Sequence, residues 1–127
     1  MSRFLWICLG GAAGTGARYL ISGWALAVLG PAFPWGTLII NVSGSFLLGI
    51  LMQVGLTTTL FSPTLRLALT TGVMGGFTTY STFNYETIRY AQGGSWQVAI
   101  GNVAATVFVC LVAGLAGIAL GRWMFGG

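Results

Sequence analysis

The sequence predicts an all-α integral membrane protein with four transmembrane helices. Its 127 residues are 56% hydrophobic and only 5% charged, whereas an average soluble domain is about 25% charged. Five arginines and one acid, Glu86, supply all of the charge, and the ranges 19–65 and 90–121 carry none. This composition argues against a soluble domain. It also argues against a nucleic-acid-binding domain, which would cluster its basic residues.

The same composition removes most enzyme chemistry. The chain has no histidine, lysine or aspartate, so the usual Ser/His/Asp and Cys/His catalytic arrangements are absent, and one acid cannot form a carboxylate pair. Cys8 and Cys110 are isolated in apolar segments without the spacing of a metal site. The sequence therefore gives no support for an enzyme.

Four apolar segments follow one another and form a single domain over residues 1–127. Gly30-Pro31, Ser62-Pro63 and the glycine-containing run 92–95 mark the turns between them. Each segment has about 20 residues or more, enough to cross a hydrocarbon core of about 30 Å. The short connections make consecutive helices antiparallel neighbours. The predicted helices cover about residues 4–29, 35–55, 64–91 and 96–124.

The arginines give a weak orientation signal. With four crossings, Arg3, Arg66 and Arg122 share one side, and Arg89 and Arg18 lie on the other. By the positive-inside rule, so small a bias is compatible with insertion in both orientations. The alternative is that Arg18 lies in mid-membrane and the termini simply face the cytoplasm.

Small residues recur at a spacing that brings membrane helices together. Residues four apart lie on one helix face, and small ones there let two backbones approach closely. The pattern predicts close helix packing, with some of these faces packed against a second copy of the chain. The stripes are Gly10–Gly14, Ser45–Gly49 and Ala113–Gly117–Gly121.

The third segment carries a polar run at residues 74–83. Gly75 and Gly76 are poor helix formers, and four hydroxyl residues follow them. This density favours a break in the membrane helix over an ordinary helix whose hydroxyls bond to its own carbonyls. A break frees carbonyls that need a partner such as a cation or another chain. The hydroxyl residues are Thr78, Thr79, Ser81 and Thr82.

Aromatic residues accompany the hydroxyls. Phe77, Tyr80 and Phe83 are spaced by three, so they would share a face if the segment stayed helical. Aromatic rings have a positive edge, which can lie beside an anion without carrying a charge.

The second segment supplies an amide, Asn41, near the middle of an apolar helix, with Thr37 and Ser45 on the same face. A buried amide without partners costs several kcal/mol, so Asn41 must point inward. It either links helices or contributes N–H donors to a pathway. Hydroxyls, amide donors and ring edges suit a small, hard anion. A cation pump would need an acid within the membrane.

At this point the residues resemble the CrcB/Fluc family of fluoride ion channels. The resemblance rests on the runs 36–49 and 75–86, with 14–19 in the first helix, and it extends over the whole chain. It implies a fluoride-selective channel that exports toxic fluoride from the cytoplasm across a bacterial inner membrane and so gives fluoride resistance. It also implies an antiparallel, dual-topology homodimer with two pores and a structural Na⁺ on the dimer axis.

The resemblance further assigns roles to individual residues. The carbonyls of Gly75 and Thr78 from both subunits would hold Na⁺, and Asn41 would be the amide donor in the pore. Tyr80 and Phe83 would present ring edges to fluoride, although the first of these positions is usually Phe.

The remaining assignments concern the polar path and its ends. Ser81 and Thr82 would belong to a polar track, with Thr37 and Thr106 as weaker candidates. Glu86 and Arg18 would lie towards the aqueous mouths.

Two other functions fit parts of the sequence. A small four-helix, dual-topology multidrug/proton antiporter matches the size and the weak charge bias, but it needs a mid-membrane acid in the first helix, where this chain has none. A structural membrane subunit without transport is the other alternative, and the polar run of the third segment argues against it.

Overall fold

A computed structural model describes residues 1–126 of the chain. Three helices are long: α1 (Ser2–Leu29), α2 (Trp35–Thr57) and α6 (Trp96–Phe125). Between α2 and α6 the chain forms shorter pieces: α3 (Pro63–Leu67), a π-helix (Ala68–Met74), α4 (Gly75–Phe77) and α5 (Tyr80–Gln92).

The three long helices are apolar enough to cross a membrane, judged by length and composition. Their ends lie within two residues of the bounds that the apolar segments predict. The third predicted segment extends over residues 63–92 but is interrupted at residues 78–79. Among residues 1–126 the fold is therefore all-helical, with three candidate spans and one broken helix.

The broken segment changes its packing partner at the break. Its first part, residues 63–77, packs mainly against α1, whereas α5 packs mainly against α6. Helices α2 and α6 form the most extensive helix pair. The core cluster of Ile40, Met74 and Phe77 lies where α2 meets the first part of the broken segment. The two halves of the broken segment thus pack against two different helices.

Glycines form the contact between α1 and the first half of the broken segment. A Cβ atom at Gly14 would overlap the carbonyl oxygen of Val73 and lie 2.9 Å from the amide nitrogen of Phe77. A Cβ at Gly10 would lie 2.5 Å from the carbonyl oxygen of Ala68. The backbones approach this closely only because neither glycine has a side chain.

The other small-residue stripes also pack within the chain. A Cβ at Gly117 would overlap the carbonyl oxygen of Phe46, and a Cβ at Gly49 would lie 2.6 Å from that of Gly114. The central glycines of these stripes therefore serve packing within the chain. That some of these faces also pack against a second copy stays a prediction.

Substitution of Gly14 by alanine tests the α1 contact. We expect Gly14→Ala to lower the free energy of unfolding by about 1–3 kcal/mol, because overpacking forces two backbones apart. The measurement is reversible unfolding in detergent. Gly16→Ala is the matched control, since no atom lies within 4 Å of a Cβ there. The control should be neutral or stabilising by up to about 1 kcal/mol. Equal stabilities of the two variants would contradict the packing.

Candidate functional site at the helix break

The break occupies Thr78 and Thr79. Thr78 has φ −81° and ψ 155°, and Thr79 has φ −151° and ψ 115°, so both residues are extended. Gly75, in contrast, is helical with φ −62° and ψ −39°. The predicted break is present, but it follows the glycine pair instead of occurring within it. Gly76 serves close packing, because a Cβ there would lie 2.5 Å from the carbonyl oxygen of Gly11 on α1.

Asn41 pairs with both backbone groups of Thr79. The Thr79 N–H donates to Asn41 Oδ1 at 2.8 Å, and Asn41 Nδ2 donates to the Thr79 carbonyl at 3.0 Å. Asn41 Oδ1 thus replaces the acceptor that an unbroken helix would provide for this N–H, and Asn41 Nδ2 adds a donor to the carbonyl at which α5 begins. Asn41 does link helices, and one of its two N–H groups remains free of hydrogen bonds among residues 1–126.

Thr79 also begins the second half of the segment. Its hydroxyl accepts from the N–H of Thr82 at 3.3 Å and donates to the hydroxyl of Thr82 at 3.1 Å. This is an N-cap of α5. The positive end of the α5 dipole therefore faces the break, and it favours negative charge there.

The bonds that Thr79 and Thr82 make through their N–H groups leave two carbonyls without helical donors. In a continuous helix the Gly75 carbonyl would accept from the N–H of Thr79, and the Thr78 carbonyl from that of Thr82. Here Asn41 takes the first N–H and the Thr79 hydroxyl takes the second. Within the described residues, neither carbonyl has a protein donor. Carbonyls freed in this way are the atoms that could hold a hard cation, and residues 1–126 contain no His/Cys/Asp/Glu cluster that could do so.

Gly44 on α2 makes room for the break. A Cβ at Gly44 would overlap the Thr78 side-chain methyl and would lie 3.2 Å from the Phe77 ring. Sequence reasoning gave Gly44 no role of its own, because nothing in the chain marks which glycine faces Thr78.

An open groove of about 290 Å³ is lined by five of the eleven predicted site residues. The rings of Tyr80 and Phe83 lie edge to face along it, with centroids 5.6 Å apart and planes at 60°. Phe83 is 8% exposed and Tyr80 is 75% exposed, so the groove opens at Tyr80 to the outside of the single chain. Its lining comprises Asn41, Ser45, Leu48, Thr78, Thr79, Tyr80, Phe83, Thr106 and Cys110.

A second cavity, of about 350 Å³, lies towards the connection between α1 and α2. Thr37, Thr82 and Glu86 line it together with Tyr90, whose hydroxyl donates to the carbonyl of Pro31 at 2.8 Å. Glu86 Oε1 is buried without a hydrogen-bond partner in the described chain. Glu86 also borders an outer cavity of about 390 Å³ that contains Arg89.

Three predicted residues, Gly75, Ser81 and Arg18, lie apart from both spaces. Ser81 is exposed, and its hydroxyl approaches that of Thr79 at 3.5 Å. Arg18, which the resemblance puts towards an aqueous mouth, donates from Nε to the carbonyl of Gly76 at 3.0 Å, next to the break. A cation there complements the negative end of the first half-helix.

Sequence reasoning missed two residues beside the groove. Asn102 on α6 is 1% exposed and donates through Nδ2 to the Thr87 hydroxyl at 2.9 Å. The sequence does carry a signal for Asn102, because an amide within an apolar segment indicates a buried polar contact, as it does for Asn41. The partner Thr87 carries no such signal.

Comparison with known proteins identifies the family of the chain. A family model described as CrcB-like protein, Camphor Resistance (CrcB), matches residues 5–118. The chain belongs to the CrcB-like family. Three curated relatives are each named fluoride-specific ion channel FluC.

These relatives match over nearly their full lengths. The one from Sorangium cellulosum is 55% identical over 127 residues, which is all of both chains. The one from Anaeromyxobacter sp. strain K is 55% identical over 126 residues, covering 99% of this chain and 100% of the relative. The one from Geobacter sulfurreducens is 51% identical over 122 residues, covering 96% and 98%.

Replacement of Asn41 tests its pairing with the break. Asn41→Leu leaves the N–H of Thr79 without an acceptor and removes one of the donors to its carbonyl, so we expect a loss of roughly 1–3 kcal/mol in the free energy of unfolding. Ser43→Ala is the matched control on the same helix, because the Ser43 hydroxyl donates only to carbonyls of its own helix. The control should change stability by less than about 0.5 kcal/mol. If detergent unfolding shows equal losses for both, Asn41 does not hold the break.

Proposed function

We propose that this CrcB-like protein is a fluoride-selective ion channel that lets fluoride leave the cytoplasm passively. One structural observation carries the proposal. The groove at the break is lined by the amide residue Asn41, by hydroxyl residues and by the aromatic residues Tyr80 and Phe83, and no charged side chain lines it. The names of the relatives at 51–55% identity support fluoride as the ion. The function is that of a channel and not of an enzyme.

Fluoride is small and strongly hydrated, so a pathway has to replace its water without holding the ion. Conduction requires binding that is favourable enough to enter and weak enough to leave. Neutral donors and ring edges meet both requirements, whereas a free buried guanidinium would trap the anion. Arg18 donates to the Gly76 carbonyl instead of lining the groove, which is consistent with an uncharged path.

Four residues of the groove have proposed tasks. The second N–H of Asn41 donates to fluoride, and the edges of Tyr80 and Phe83 flank the ion. The hydroxyl of Thr106 borders the same groove on α6.

The path continues over the hydroxyls of Thr82 and Thr37, with Ser81 beside it. Glu86 marks the mouth, because it lines both the second cavity and the outer one.

The channel is proposed to be an antiparallel homodimer of four-helix subunits with one pore for each subunit. The groove of the single chain is open, and Tyr80 at its edge is largely exposed, so a second copy would complete the wall. A chain that inserts in both orientations must have only a weak bias in the distribution of its arginines. Arg3 Nε donates to the hydroxyl of Thr64 at 3.5 Å, so these two residues lie at one end of the chain's helices. Arg89 lies towards the opposite end. The host membrane is the bacterial inner membrane.

Na⁺ is proposed as a structural ion on the dimer axis. The carbonyls of Gly75 and Thr78 fit it, since both lack protein donors and Gly75 is exposed on the single chain. Na⁺ would supply the positive charge that satisfies these carbonyls from both subunits.

An antiporter finds less support. Glu86, the only acid of the chain, lies on α5, whereas a proton-coupled drug exporter of this size would need its acid on α1.

Fluoride efflux from liposomes tests the proposed function. Purified protein is reconstituted into vesicles loaded with potassium fluoride or potassium chloride. Fluoride should leave rapidly once valinomycin is added, because passive anion flow needs a counter-current of K⁺. Chloride should leave no faster than from protein-free vesicles. Equal passage of both ions, or fluoride efflux without valinomycin, would contradict the proposal.

Labelling of one terminus tests dual topology. In a background with Cys8 and Cys110 replaced by alanine, Gly126→Cys is exposed to a membrane-impermeant maleimide on intact spheroplasts. About half of the protein should react, because the small arginine bias permits both insertions. Permeabilised spheroplasts are the control and should give complete labelling. Labelling of all or none of the protein in intact spheroplasts would contradict the antiparallel arrangement.

A further inference from the structure

A chain of hydrogen bonds connects α6 to the backbone of α5. The hydroxyl of Thr106 donates to Asn102 Oδ1 at 3.3 Å, and Asn102 Nδ2 donates to the Thr87 hydroxyl at 2.9 Å. The Thr87 hydroxyl donates in turn to the carbonyl of Phe83 at 2.8 Å. The chain begins at the groove, which Thr106 lines, and ends at the backbone of one of its aromatic residues.

The direction of this chain is set by chemistry. A threonine hydroxyl has one hydrogen, and that of Thr87 goes to the Phe83 carbonyl, so its oxygen is available as the acceptor for the Asn102 amide. Asn102 is almost completely buried. An amide in such a place needs its partners, because an unpaired one costs a full desolvation penalty.

The position of α5 depends on α6 more than on any other helix. The break at residues 78–79 removes the continuous helical hydrogen bonding that would tie α5 to the preceding half-segment. After the break, α5 packs mainly on α6 and only slightly on α2. Lipid provides no hydrophobic force between helices, so polar contacts and packing have to hold α5 in place.

We propose that Asn102 is a positioning residue that, through Thr87, fixes α5 and with it the ring of Phe83. This inference rests on the proposed function for its meaning, because it assigns the position of the two aromatic rings relative to Asn41 to an amide outside the groove. Tyr80 and Phe83, whose ring centroids lie 5.6 Å apart, both belong to α5. A shift of α5 on α6 moves both rings relative to the α2 amide that the ion would contact.

Substitutions along the chain test the proposal. Thr87→Val keeps the shape but removes the acceptor for Asn102, and Thr87→Ser keeps the hydroxyl. We expect Asn102→Leu and Thr87→Val each to slow fluoride efflux by about tenfold, the effect of one buried hydrogen bond. Thr87→Ser should retain the wild-type rate. The double variant should be no slower than Asn102→Leu, because both substitutions interrupt one chain.

Thr70→Val is the matched control. The Thr70 hydroxyl donates to a carbonyl four residues earlier at 2.8 Å, as that of Thr87 does, but no amide bonds to it. Its removal should leave fluoride efflux unchanged.

A measurement that does not depend on transport accompanies the flux assay. Backbone hydrogen exchange should increase in residues 80–92 of Asn102→Leu and Thr87→Val, and it should stay unchanged in residues 63–77. Wild-type efflux by Thr87→Val, additive slowing in the double variant, or unchanged exchange in residues 80–92 would overturn the positioning role. If the wild-type protein passes no fluoride, the proposed function fails, and the exchange measurement alone decides whether Asn102 positions α5.

Discussion

The pairing of Asn41 with the backbone of Thr79 is the interaction on which the rest of the site depends. Lipid offers no partners for an interrupted helix, so a break within a membrane segment requires groups from elsewhere in the protein. The Asn41 amide supplies one donor and one acceptor to the same residue. Gly44, one turn further along α2, gives the space in which Thr78 and Thr79 can be extended.

The consequences of this pairing reach both halves of the segment. Because the N–H of Thr79 turns to Asn41, the carbonyl of Gly75 is released, and because the Thr79 hydroxyl caps α5, the carbonyl of Thr78 is released as well. Arg18 donates a hydrogen bond to the neighbouring carbonyl of Gly76. One local rearrangement therefore produces freed carbonyls on one side and a helix N-terminus on the other. The proposed anion path and the proposed cation site would both depend on these few residues.

The two halves are held by different physical means. Residues 63–77 lie against α1 through glycines that permit backbone contact. The more polar α5 lies against α6, where Asn102 and Thr87 contribute hydrogen bonds across the interface. The polar composition that makes α5 suitable for lining a path also leaves it dependent on such bonds.

Much of this arrangement is predictable from the sequence, because apolar length and isolated polar residues are strong signals in a membrane protein. The long helices, the break in the third segment and the inward position of Asn41 follow from those signals. The exact place of the break does not, since Gly75 and Gly76 have low helix propensity but remain helical, with Gly76 packed closely on α1. The π-helix at 68–74 and the contact of Arg18 with Gly76 depend on how α1 crosses the third segment, and residue spacing within one segment carries no information about that crossing.

The central claim is that an uncharged groove at a helix break selects fluoride. The most direct measurement is the reversal potential of current through the protein in a planar bilayer, with opposed gradients of fluoride and chloride. The account predicts reversal at the fluoride equilibrium potential, unchanged when the chloride or proton gradient is altered. Reversal that follows chloride or protons would contradict it.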